Sequence, residues 1–167
     1  MDYIFKSKKF YILLIYMEKK NRVYVDGIWD LFHHGHVSFL KKCKERANIL
    51  IVGVCSDIDT ESYKRKPVIT MEERVKVLEG CKYVDEIIPS CPCNGLTKEF
   101  LETNKIDLVL HANDYSIDKM NKYYSVPIEM GIFETLNYTK SISTTDIINR
   151  LTNRILNKYL NGHDDNI

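Results

Sequence analysis

The chain has 167 residues, 44% of them hydrophobic and 28% charged, with a formal net charge of +1. That length buries one core, and the balance is that of an ordinary globular protein. The near-neutral charge excludes a broad electrostatic footprint for nucleic acid.

Residues 1–21 form an N-terminal extension of unassigned role. Phe10 to Met17 is an apolar run preceded by Lys6, Lys8 and Lys9. It is too short to span a bilayer. Basic residues before an apolar stretch fit a signal peptide, but Glu18-Lys19-Lys20 stands where a small-residue cleavage site belongs. A single domain over 22–158 and a polar tail over 159–167 are expected to follow.

The first strand is read at Val23 to Val25, and Gly27 permits a turn after it. His33-His34-Gly35-His36 then opens a helix that runs through Cys43. His33 and His36 share one face of the first turn. Gly35 between them allows another group to approach the backbone. The free N–H groups and dipole of the helix start attract phosphate. The run reads as a site for a nucleotide's phosphates. A zinc pair is the other reading, but helical ligand pairs more often sit four apart, and no matching Cys or His pair follows nearby.

Ile49 to Val54 is a continuous apolar run, as in a strand covered on both faces. Ser56 to Lys66 is polar and reads as a loop or a short helix. Thr70-Met71-Glu72-Glu73 is a capping box opening a helix through Val75, Leu78 and Cys81. Val84 to Ile88 is the next strand. Cys91-Pro92-Cys93 reads as a turn. It is too tight for a comfortable disulfide and, as a lone pair, poor for zinc, so no metal site is expected. The odd count of five cysteines points to reduced thiols and a cytoplasmic protein.

Leu96 to Asn104 is a short helix, and Ile106 to Leu110 a strand ending at His111-Ala112-Asn113-Asp114. Pro127 should break any helix over the residues before it. Gly131 to Leu136 is the last strand. Ser143-Thr144-Thr145-Asp146 opens a final helix through Ile147, Leu151 and Ile155. Strands alternating with helices give an α/β fold with a doubly wound parallel sheet. Ligands bind such sheets beyond the carboxyl ends of the strands. Asp26 to His36, Lys64, Asn113 and Asp114, and Ser143 to Thr145 all fall there.

Several ordered segments resemble one family. Asp26-Gly27-Ile28-Trp29-Asp30-Leu31-Phe32-His33-His34-Gly35-His36 resembles the signature of the CTP-dependent cytidylyltransferases. Ile51 to Asp57, Lys64 with Pro67 to Arg74, and Tyr83 to Pro89 are similar to the middle of that family. Ile142-Ser143-Thr144-Thr145-Asp146 is similar to its closing signature. The resemblance spans about residues 22 to 155. It implies a Rossmann-like nucleotidyltransferase fold and in-line attack of a phosphoalcohol on CTP, with pyrophosphate leaving.

By that resemblance His33, His36 and Lys64 are catalytic. Gly27, Ile28, Trp29, Gly35, Ala112, Asn113, Ile142, Ser143, Thr144 and Thr145 would bind CTP. Asp26, Asp30, Cys93, Asp114, Tyr115 and Tyr124 would bind the phosphoalcohol. Mg²⁺ is implied as the CTP complex, and a homodimer with at most peripheral membrane contact as the assembly. His111-Ala112-Asn113-Asp114 is more similar to the phosphoethanolamine type than to the phosphocholine type, which remains the alternative. One departure counts against turnover. The family's Arg-Thr-x-Gly before the closing signature is Tyr138-Thr139-Lys140-Ser141 here. An uncharged phenol cannot replace a guanidinium fork, so a degenerate nucleotide-binding regulatory domain is the reading from another class.

Overall fold

The computed structural model describes residues 20–137 and 142–161. Tyr138 and Ser141, nearly all of the N-terminal extension and the end of the tail lie outside the described residues. The first strand, β1 (Lys20–Gly27), begins two residues before the expected boundary. The Lys20 amide donates to the Arg46 carbonyl at 3.0 Å, and Lys20 pairs with Ala47 of β2 (Ala47–Val54). The other strands are β3 (Glu86–Pro89), β4 (Leu108–Ala112) and β5 (Phe133–Leu136). All pair in parallel, in the order β3-β2-β1-β4-β5. The sheet grows outward from β1 in both directions, so the reversal of strand order falls between β1 and β4.

The two faces carry separate cores. Val23, Val25, Leu50, Val52 and Val54 meet Leu40 and Cys43 of α1 (His34–Glu45) and Leu78 of α3 (Met71–Glu79). On the other face Tyr24, Ile51 and Val109 meet Leu101 of α4 (Lys98–Thr103) and Tyr124 of α5 (Ile117–Glu129). Period-two alternation along β1 and β2 sends successive residues to opposite cores, which is why both strands read as unbroken apolar runs.

The polar stretch after β2 forms a short helix, α2 (Asp57–Tyr63), with Ser56 as its N-cap. The helix is broken as Pro127 implies: α5 is two helical pieces that meet at a kink at Tyr124 (φ −126°, ψ 20°), and the proline lies just inside the second piece. Pro127 has no N–H for the carbonyl of Tyr123. That carbonyl accepts instead from the Leu96 amide at 3.3 Å. The final helix, α6 (Thr144–Asn161), reaches into the segment expected as tail. Among the described residues no helix is long and apolar enough to cross a membrane.

One buried charge ties the site side of the sheet together. Arg74 of α3 is 1% exposed. Its guanidinium donates to the carbonyl of Ile28, to the carbonyl of Cys55 at 2.9 Å and to the Asp57 carboxylate at 2.5 Å. The end of β1, the end of β2 and the start of α2 thus share one fork. Lysine offers a point charge and cannot reach all three acceptors. Arg74→Lys should therefore destabilise the fold by about 3–5 kcal/mol, the usual cost of breaking a buried pair. A denaturant midpoint equal to that of the parent protein would contradict this clamp.

Candidate active site

The connection from β1 to α1 is held in an unfavourable backbone shape. Trp29 and Leu31 have φ of 61° and 47°, in the left-handed region that suits glycine. Each such residue costs on the order of 1–3 kcal/mol and persists only where neighbours over-determine it. Here the Trp29 indole is buried, and its N–H donates to the Gly53 carbonyl at 2.8 Å. Asp30 is 3% exposed. Its carboxylate accepts from the amides of Val68 and Ile69 at 3.0 and 3.2 Å and pairs with Arg65 at 3.1 Å. Asp30, expected to contact substrate, lines the cavity, and its carboxylate also holds the 65–69 segment through these donors.

The histidines form a reciprocal cap. His33 is the N-cap of α1, and its Nδ1 accepts from the Gly35 amide at 3.2 Å. His36 Nδ1 accepts from the His33 amide at 3.3 Å. A ring whose Nδ1 accepts carries its proton on Nε2 when neutral. The rings stack with centroids 3.8 Å apart. Burial, then the neighbouring His33, pushes the His36 imidazole down to about 3, and burial also lowers His33. Both are neutral at pH 7 and present an Nε2–H at a helix start. A Cβ on Gly35 would lie 3.0 Å from the His33 ring and 3.2 Å from the Ile142 carbonyl. The glycine therefore lets α1, the ring and the start of α6 meet.

A cavity of about 280 Å³ runs from this pair. At the phosphate-like end Lys64, Ser143, Thr144 and Thr145 join His33 and His36. Among Lys64, Arg65 and Lys66, only Arg65 is paired with Asp30, while Lys64 lines the cavity without an ion pair among the described residues. Ser143 caps α6 through Asp146, their side chains 2.7 Å apart. The Thr144 hydroxyl donates to the Asp30 carbonyl at 2.9 Å, joining α6 to the first connection.

At the other end the Asp26 carboxylate accepts from the Tyr124 hydroxyl at 2.7 Å. Burial pushes the Asp26 carboxyl up to about 6. His111, Asp114, Tyr115 and Cys93 line the same end. His111 Nδ1 lies 2.6 Å from the Ala112 carbonyl oxygen, and its ring packs 4.4 Å from Tyr115 and 5.0 Å from Tyr124.

Gly27, Ile28, Trp29 and Gly35 line the cavity as expected. Ala112, Asn113 and Ile142 do not line it; the Ile142 carbonyl lies beside Gly35. Asn113 is exposed, and its side-chain amide donates to Asn137, which follows the neighbouring strand β5, at 3.0 Å. Sequence reasoning missed His111, Tyr63 and Tyr123 as lining residues. His111 had a signal, since it ends β4 on the ligand-binding side. It also missed that Cys55 joins Cys91 and Cys93, all three sulfurs within 4.8 Å of one another. Hydrogen bonds from Cys55 and Cys91 pull the Cys93 thiol down to about 5.

Choline-phosphate cytidylyltransferase 2 of Arabidopsis thaliana is 42% identical over 144 residues, covering 83% of this chain and 47% of that protein. A probable ethanolamine-phosphate cytidylyltransferase of Encephalitozoon cuniculi is 35% identical over 144 residues, covering 86% and 44%. The ethanolamine-phosphate cytidylyltransferase of Dictyostelium discoideum is 36% identical over 135 residues, covering 80% and 37%. The chain spans less than half the length of these relatives. A lipopolysaccharide core biosynthesis protein from Thermoplasma volcanium shares the fold, with a TM-score of 0.58 at 22% identity over 73% of this chain and 98% of that one. The sequence model of the cytidylyltransferase-like family matches residues 24–150, and the chain belongs to that family.

Proposed function

We propose that the chain transfers the cytidylyl group of CTP to phosphoethanolamine, giving CDP-ethanolamine and pyrophosphate for phospholipid synthesis. The observation that carries this reading is one cavity with neutral, stacked His33 and His36 at one end and the Asp26 carboxylate at the other. The phosphate oxygen of the substrate attacks the α-phosphorus in line, and pyrophosphate leaves. No covalent enzyme intermediate is required. Catalysis is positioning and stabilisation of charge on the phosphoryl oxygens.

In this reading His33 and His36 donate their Nε2–H groups to the triphosphate. Lys64 neutralises and orients the two reacting phosphates. Residues 143–145 hold the triphosphate at the start of α6. Asp26 receives the substrate's ammonium, which favours the ionised form of that buried carboxyl. The cavity carboxylates are few, so the donor set fits Mg²⁺ carried by the nucleotide's own phosphates and water, neutralising their charge. The same reading makes the chain a cytoplasmic homodimer with at most peripheral membrane contact, and exposed Leu151, Ile155 and Leu156 on α6 support a partner surface.

Phosphocholine is the second reading, favoured by the tyrosines at the Asp26 end and by the choline-phosphate relatives. A quaternary ammonium needs open ring faces. Tyr124 is stacked on Phe133 at 5.0 Å, and Lys119 sits 5.6 Å from the Tyr115 ring centroid, so those faces are already partly taken. Product formation from CTP with phosphoethanolamine, phosphocholine and glycerol 3-phosphate tests both readings. Phosphoethanolamine is expected to give the highest kcat/KM. No product from any of them, with folded protein, would favour the degenerate domain that Tyr138 and Ser141 suggest.

Removing one preorganised donor typically lowers kcat by roughly 100- to 1000-fold. His36→Ala and Lys64→Ala should each show such a loss while melting cooperatively. Full turnover in His36→Ala would contradict the assigned role.

Asp26→Asn separates binding from stability. A carboxyl raised to about 6 in the fold is protonated there while the unfolded chain has already lost its proton. Its contribution is therefore present below about pH 4 and lost as pH rises through about 6. The amide removes that loss, and the variant should gain about 1–2 kcal/mol at pH 7.5 relative to pH 4.5. Its KM for phosphoethanolamine should rise more than its KM for CTP. Parallel melting curves for parent and variant over that range would remove the argument.

A further inference from the structure

We propose that Cys55, Cys91 and Cys93 bind one thiophilic d10 metal ion, Zn²⁺ by chemistry, leaving its fourth position open to the substrate cavity. The proposal goes beyond the transfer reaction and does not depend on it. Its basis is that three thiols from two neighbouring strand ends converge. Cys55 follows β2, and Cys91 and Cys93 follow β3. Those strands are paired up to Val54 and Pro89. The backbone beneath the thiols is pinned. The Cys91 amide donates to the Val54 carbonyl at 3.1 Å, and the Cys55 amide donates to the Gly27 carbonyl at 3.0 Å. Pro92 stiffens the short link.

The spacing suits tetrahedral coordination. Zn–S bonds of about 2.3 Å set the sulfurs about 3.8 Å apart. The three sulfurs already lie within 4.8 Å of one another. Small side-chain rotations close the remainder. Cys93 Sγ now lies 3.3 Å from the Cys91 carbonyl oxygen, a contact that such a rotation relinquishes. On binding at neutral pH, the S–H protons of Cys55 and Cys91 leave to solvent, Cys93 enters as the thiolate it already is, and three metal–sulfur bonds form.

The surroundings suit thiolates as well. The Tyr63 hydroxyl lies 3.9 Å from Cys55 Sγ. Among the described residues the buried Tyr24 hydroxyl has no hydrogen-bond partner other than the neighbouring Cys91 thiol. Gly53 explains how it reaches the cluster, because a Cβ there would lie 2.1 Å from that hydroxyl and 2.9 Å from Cys91 Sγ. A buried phenol beside a sulfur is an outer partner for a metal-bound thiolate. Cys55 and Cys93 line the cavity while Cys91 is 1% exposed behind them. An ion held there presents its open position at the end occupied by Asp26 and Tyr115.

Inert packing is the competing account, since free cysteines are common core residues. Cobalt titration of the reduced, metal-stripped full chain separates the two. One equivalent of Co²⁺ should give thiolate-to-cobalt charge transfer and tetrahedral d–d absorption, and Zn²⁺ should displace it. Cys93→Ser, at the least buried member, should weaken Zn²⁺ by more than the roughly 10- to 100-fold that loss of an outer partner costs. Cys81→Ser should leave binding unchanged. Should the cluster variants fail to fold, alkylation mapping of the unaltered chain gives the same answer. Zn²⁺ should protect Cys55, Cys91 and Cys93 but not Cys81. Absence of the charge-transfer band, its survival in folded Cys93→Ser, or equal alkylation with and without Zn²⁺ would each overturn the proposal.

Discussion

Everything at the candidate site depends on the forced shape of the connection between β1 and α1. Trp29 and Leu31 adopt left-handed backbone without being glycine. Buried contacts from three directions hold them there. Arg74 takes the Ile28 carbonyl from beneath, Gly53 takes the Trp29 indole from the next strand, and Asp30 is gripped by the amides of Val68 and Ile69. Without those anchors the segment would relax to ordinary backbone, and His33 would leave the N-cap position. With them, His33 and His36 cap one helix and stack on each other, so two N–H donors face the cavity at fixed tautomer.

The cavity is electrically divided. At its histidine end the imidazoles are uncharged at neutral pH, and the positive charge comes from Lys64. Its far end holds a carboxylate that burial keeps reluctant to ionise. An anionic triphosphate and an ammonium-bearing substrate would complement the two ends in opposite senses. Burial thus sets protonation at both ends, holding the imidazoles neutral and the carboxyl close to its titration range.

Much of this was legible in the sequence. Apolar runs revealed β1, β2 and β4, because strands covered on both faces need no polar alternation. The capping box at Thr70 and Glu73 set the start of α3. His33, Gly35 and His36 announced themselves by spacing. What was hidden depended on partners distant along the chain. Arg74 reads as one more charge on an amphipathic helix, and only its three acceptors make it a core residue. Asp30 reads as a ligand, and nothing in the sequence shows that it also holds the amides of the 65–69 segment. Cys55 is unremarkable until parallel pairing sets it beside Cys91 and Cys93. The irregularity at Tyr124 arises three residues before the proline that causes it, because the missing N–H is felt by an earlier carbonyl.

The central claim is that His33 and His36 are neutral at physiological pH and carry their protons on Nε2. Long-range proton–nitrogen correlation NMR on histidine-labelled protein tests it directly. Across pH 5–8 the account predicts that the His36 nitrogens keep the shifts of one neutral Nε2–H tautomer, with His33 in the same tautomer at pH 7. A His36 ring that titrates near 6.5, or one that carries its proton on Nδ1, would contradict the reciprocal cap and the donor geometry built on it.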